Sequence, residues 1–190
     1  TISPYGAGSS GGLFHNAADG HVSVVSQGGS PYGFHAPGVS IPFRNEGTFD
    51  VSWSGTDYGV GRQIIGVLTG YSGPTDGGVV DNRGSITVSG PVYAVGLYLT
   101  SASGEQINNS GFITVTTAPD AAYYALGIVF EAITPMNAGS NALTIRNSGT
   151  ISAEIAVYSL DYSSTGKAET LINSGTIHGA VRMADGNDTV

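Results

Sequence analysis

The phrase Asn-x-Gly-x-(Ile/Phe) occurs five times in this chain, and its spacing restricts the fold more than any other feature. It reads Asn45-Glu46-Gly47-Thr48-Phe49, Asn82-Arg83-Gly84-Ser85-Ile86, Asn109-Ser110-Gly111-Phe112-Ile113, Asn147-Ser148-Gly149-Thr150-Ile151 and Asn173-Ser174-Gly175-Thr176-Ile177. Successive asparagines lie 37, 27, 38 and 26 residues apart. The short spacings set a period near 26, and the long ones add about 11 residues, as loops inserted in alternate repeats would.

Each unit repeats one internal order. An apolar run precedes the phrase: Val39-Ser40-Ile41, Val79-Val80, Gln106-Ile107, Leu143-Thr144-Ile145 and Leu171-Ile172. Alternation follows it, as in Ile86-Thr87-Val88 and Ile113-Thr114-Val115, the period of two that marks a half-buried strand. A third segment comes next, at residues 58–61, 93–99, 124–130 and 155–160. Tyr32-Gly33-Phe34, preceded by residues 21–25, reads as a further copy. No stretch combines a 3.6-residue period with helix caps.

Three short strands and three corners per period describe an all-β fold: a parallel, right-handed β-helix of about six three-stranded coils that share one core. At about 4.8 Å per coil, the rod is about 25–30 Å tall. The coils are expected over 21–190, with a flexible or capping segment at 1–20 and insertions near 66–78 and 132–141. At each corner, glycine is expected to supply a positive φ without steric cost. The asparagine before it tolerates the left-handed region. Stacked in register, the five asparagines bond one to the next as a ladder, and the Ile or Phe after glycine points inward.

Composition narrows the partners. The 190 residues include 30 glycines but only 6 Lys+Arg against 14 Asp+Glu, a net charge of −8. No basic patch is available to displace counterions from nucleic acid, and an anionic membrane surface is disfavoured for the same reason. With no cysteine there are no disulfides, thiolate nucleophiles or Cys-based metal sites. No apolar run reaches the roughly 18–20 residues of a membrane helix, so direct membrane insertion is not expected. The chain opens without a signal-like region, and its limits at Thr1 and Val190 read as those of a processed or cut segment.

The Asn-Ser-Gly-Thr-Ile phrase, with the closing Gly186-Asn187-Asp188-Thr189-Val190, resembles bacterial autotransporter passenger regions over roughly 44–190. The resemblance implies a β-helical rod exported across the outer membrane to the cell surface by a C-terminal β-barrel. The barrel itself is not expected within this segment. Activities in that family vary with inserted modules, so the resemblance implies a location more than an activity.

Candidate chemistry is sparse. A Gly-x-Ser-x-Gly elbow is missing, since Gly8-Ser9-Ser10-Gly11 has the wrong spacing. His15, His21, His35 and His178 are scattered, and His15 with Asp19 is weighed as a triad fragment against ordinary loop residues. The carboxylates Asp50, Asp57, Asp76, Asp81, Asp120, Glu131, Glu154, Asp161 and Glu169 do not occupy equivalent positions of adjacent coils, as a paired-acid site would need. Arg62, Arg83 and Arg146 are dispersed as well, with Arg44 and Arg146 near the Asn corner. Asp185-Gly186-Asn187-Asp188 is read either as one copy of a calcium repeat or as a turn continuing the solenoid. Tyr93, Tyr98, Tyr123, Tyr124, Tyr158 and Tyr162 cluster on the third strands. They are either a carbohydrate-binding stripe or core, with Tyr93, Val95 and Leu97 inward and Tyr98 opposite.

The expectation is therefore a non-catalytic, exported cell-surface protein serving adhesion or self-assembly. Its partners would be further copies, flanking β-helix, or host and cell-surface glycans. No catalytic residue, cofactor or metal site is assigned. The alternative is a polysaccharide lyase, glycoside hydrolase or carbohydrate-binding module on the same fold.

Overall fold

The computed structural model describes residues 12–36, 42–55, 62–70, 79–100, 106–119, 121, 123–132, 143–161, 168–183 and 187–190. These residues form a parallel β-solenoid, and none of them is helical. The first rung holds β1 (Phe14–Asn16), β2 (His21–Ser26) and β3 (Tyr32–Ala36). The second holds β4 (Phe43–Asn45), β5 (Thr48–Trp53) and β6 (Gln63–Gly70), the third β7 (Val79–Asn82), β8 (Ser85–Gly90) and β9 (Tyr93–Thr100). Next come β10 (Gln106–Asn109), β11 (Phe112–Thr117) and β12 (Ala125–Ala132), then β13 (Thr144–Asn147) and the long β14 (Thr150–Asp161). The last rung is β15 (Thr170–Asn173) and β16 (Thr176–Arg182).

One sheet stacks the first strands in the order β1-β4-β7-β10-β13-β15. The other follows β2-β5-β8-β11-β14 along one face and returns through β12-β9-β6-β3 along the next. β14 joins both faces because its 12 residues pair with β11 through Thr150–Ser152 and with β12 from Ile155 onward. From β4 to β14 there are about four full turns; the expected six coils include the shorter rungs at either end.

The core is made of columns. Val22, Phe49, Ile86, Ile113, Ile151 and Ile177 stand in register, so the residue two after each corner glycine does point inward. Fully burying each such side chain stabilises the fold by about 1.5–3 kcal/mol. Towards the N-terminal end the columns turn aromatic, and Phe14 packs on Phe34 and Phe43 with ring centroids 4.9 and 5.1 Å away.

The asparagine ladder is present and one member longer than expected. Asn16 donates to Asn45, Asn45 to Asn82, Asn82 to Asn109, Asn109 to Asn147 and Asn147 to Asn173, at 2.7–2.9 Å. Each amide also reaches a backbone carbonyl of the next corner, as Asn82 reaches Phe112 O at 3.1 Å. Asn45 and Asn82 are fully buried with both ends of the amide engaged, which removes the penalty of burying them.

The corner glycines have another cause than the one expected. Among described residues only Gly29 and Gly179 have positive φ. At the corners glycine is needed because rungs stack backbone on backbone: a Cβ on Gly84 would lie 2.0 Å from Gly47 O. A second column, Gly33, Gly66, Gly96 and Gly127, runs up the third strands, where a Cβ would lie 2.5–2.6 Å from the next rung's carbonyl.

Several boundaries differ from the sequence reading. β1 lies inside the segment 1–20, so the solenoid begins earlier than residue 21. The second coil's third strand is β6, not 58–61, and it occupies residues 66–70 of the expected insertion. Residues 39–41, 58–61, 71–78 and 133–142 lie outside the described residues.

Candidate functional site

The weighed His15–Asp19 pairing is replaced by a corner network. His15 Nε2 lies 3.0 Å from Glu46 Oε2, and Asp81 Oδ2 accepts from Arg44 Nη2 at 3.1 Å and Arg83 Nε at 3.0 Å. His21 stands 3.4 Å from Asp50. Arg44 and Arg146 share an outward column, separated by Asp81 and Asn108. In the strand pairings from β4 to β14 no two carboxylates face each other across adjacent rungs, whereas at the last rung the Thr170–Thr189 bridge sets Glu169 beside Asp188. His35 packs on Tyr32 with ring centroids 4.7 Å apart, and burial holds its imidazole below the usual histidine range. Among described residues no group of three or more His, Cys, Asp or Glu could hold a metal. Asp185 and Gly186 lie outside the described residues, while Asp188 caps the backbone N–H of Glu169 at 2.9 Å.

None of the described tyrosines belongs to the central core. Tyr32, Tyr93, Tyr98 and Tyr158 pack, half-buried, on a second apolar cluster of Ile65, Leu68, Val95, Leu126, Val129 and Ile155 on the outer side of the third strands. Strict alternation would have put Tyr98 opposite Tyr93, but the glycine column breaks it. A Cβ on Gly96 would meet the core side chains of Ile113 and Val115, and Leu97 is core too, so two successive residues face inward. Tyr98 donates to Glu131 Oε1. Tyr123 and Tyr124 are exposed, and Tyr162 lies outside the described residues.

The second strands present the surface that sequence reading missed. Their outward residues form columns of hydroxyls: Thr48, Ser85, Phe112 and Thr150 in one, Asp50, Thr87, Thr114 and Ser152 in the next, then Ser52, Ser89 and Thr116. Phe112 interrupts the first column and is 59% exposed. The strand ends border a groove of about 420 Å³ lined by Trp53, Ser54, Ser89, Pro91, Thr116 and Thr117. Trp53 is buried beside it, with an indole Nε1 that has no hydrogen-bond partner. The signal in the sequence was Phe112 itself, at a position of the phrase where the other copies carry Thr or Ser.

The last rung is the other open surface. Ile172, Asn173, Thr176, His178 and Val181 are exposed. Beyond β15 the only pairing among described residues is the bridge of Thr170 with Thr189, so residues 187–190 begin another first strand. The fold and these surfaces define a parallel β-solenoid. No protein-family model, curated protein or solved structure matches the chain.

Proposed function

We propose that this chain belongs to an exported cell-surface β-helical rod that serves adhesion or self-assembly and is not a catalyst. One observation carries the reading: the last rung repeats the bonding pattern but leaves it open. Five asparagines donate to the next rung, whereas among the described residues Asn173 Nδ2 reaches only Gly175 O of its own corner, at 3.4 Å. An exposed strand edge with unused donors and acceptors is a template for another strand. Its occupant is another coil of the same kind, from flanking solenoid or a second copy.

Export rests on the resemblance of the phrase and the closing segment to passenger regions, and a cysteine-free exterior of Gly, Ser, Thr and Asn suits it. The non-catalytic reading is supported by Glu46 and Asp81, whose carboxylates are held in ion pairs rather than aimed at one point.

Sedimentation at micromolar concentration tests assembly. Oligomers are expected, more at high ionic strength, where the net charge of −8 is screened. A strictly monomeric species at both low and high salt overturns self-assembly. Protease treatment of intact producing cells tests location, and a rod protected from outside overturns the surface assignment.

A further inference from the structure

We infer that the hydroxyl-lined face of the second strands binds a neutral glycan chain, with a sugar ring stacked on Phe112. The inference deepens the adhesive half of the function proposed above and rests on it; self-assembly through the last rung is a separate property.

Three observations carry it. First, Phe112 is 59% exposed on a regular strand, between Ser85 on one rung and Thr150 on the next. A sugar ring has an apolar C–H face and a hydroxylated rim. An aromatic ring framed by hydroxyls offers the matching surface, apolar at the centre with a few polar groups to fix orientation. Second, the hydroxyls of Ser85, Thr87, Thr114 and Thr150 make no hydrogen bond to the described protein, so their donors and acceptors are free for a ligand. Third, the face runs into the groove beside Trp53 and Pro91 through the shared residues Ser89 and Thr116. From Phe112 to Thr116 is about 13 Å at about 3.3 Å per residue, the reach of a short oligosaccharide rather than one ring.

Charge and area select the ligand. Phe112 is flanked by Ser85 and Thr150, and the charged groups lie at the borders: Asp50 paired with His21, His178, Arg83 held by Asp81 and Glu46 at the corner, and Arg62 over the Trp53 ring. An acidic polysaccharide would meet Asp50 there, and the bordering cations are engaged, Arg83 with Asp81 and Glu46 and Arg62 with the Trp53 ring. A protein partner would need about 800 Å² per side with an apolar centre, and this face offers a single aromatic side chain.

The test is binding of the whole chain to immobilised neutral polysaccharides (glucans, mannans and galactans) and to acidic ones (alginate and polygalacturonate). Neutral polymers should bind and acidic ones should not. F112A should lose binding at least tenfold with an unchanged melting temperature, because the ring is outside the core. F112W should retain binding, and Y124A, an exposed tyrosine at another place in the coil, should match the parent. Equal binding by F112A and the parent overturns the inference. Adhesion to whole cells or acidic polymers without binding to neutral ones also overturns it but keeps the adhesive reading. Absence of binding to any polymer or cell overturns both.

Discussion

A Cβ placed on Gly111 would lie 2.0 Å from the carbonyl oxygen of Gly84, the glycine of the preceding corner. Neither atom can swing aside, because both corners are pinned: Gly111 N donates to Asn82 O at 3.1 Å and Phe112 N to Gly84 O at 2.8 Å. Overpacking typically costs about 1–3 kcal/mol, occasionally more, and a backbone clash belongs at the upper end. G111A should therefore lower stability by about 3 kcal/mol in urea denaturation. G28A, where a Cβ would meet nothing within 4 Å, should leave it unchanged or slightly raised. Equal midpoints for the two variants would show that rungs do not stack on glycine.

The ladder makes a graded prediction. N109A removes one of the two acceptors of the buried Asn82 amide and leaves the Asn147 side-chain carbonyl without its donor, each worth about 1–3 kcal/mol once unsatisfied. N173A removes the same side chain at an exposed position, where water replaces it, so its effect should be below about 1 kcal/mol. Paired melting curves decide, and similar losses at both sites would count against the ladder.

Burial lowers the His35 pKa, so the unfolded chain takes up a proton more readily than the folded one. The stability from neutral His35 is complete above the unfolded histidine value, about 6.5, and is lost as pH falls below it. Melting temperature should decline on the acid side, and H35F should flatten that slope. An identical pH profile for the variant would remove His35 as the cause.

Asp81 holds two arginines at a partly exposed corner. D81N should destabilise by no more than about 1 kcal/mol, and the difference should shrink in about 1 M salt, where screening reaches about 3 Å. A loss insensitive to salt would mean that Asp81 acts through packing.

The stacking of rungs was legible because asparagine, glycine and an inward apolar residue keep fixed offsets through five copies. Asn16 escaped because its corner, Asn16-Ala17-Ala18-Asp19-Gly20, has two residues more than the phrase. β6 was displaced because Tyr58-Gly59-Val60-Gly61 imitates the tyrosine-glycine start of the other third segments. The faces of Tyr93 and Val95 were misread, and that of Tyr98 was not, because alternation assumes one residue per side, whereas at Gly96 the missing Cβ lets Gly96 and Leu97 both turn inward. Glycine at the corners was foreseen for the wrong reason: sequence marks where a side chain is intolerable but not whether φ or a neighbouring carbonyl forbids it. The hydroxyl face needed the register of β8, β11 and β14, since three separated Ser and Thr residues become one surface only after stacking.

The asparagine amides all point the same way along the rod, each nitrogen towards the following rung. The ladder therefore has a sense, with an acceptor-bearing head at Asn16 and a donor-bearing tail at Asn173. Two copies meeting tail to tail would set nitrogen against nitrogen, and head to head oxygen against oxygen. Continuation through this ladder can be only head to tail. A contact of that kind would use unlike surfaces, so copies joined through the ladder would stack with one polarity rather than pair as a two-fold dimer.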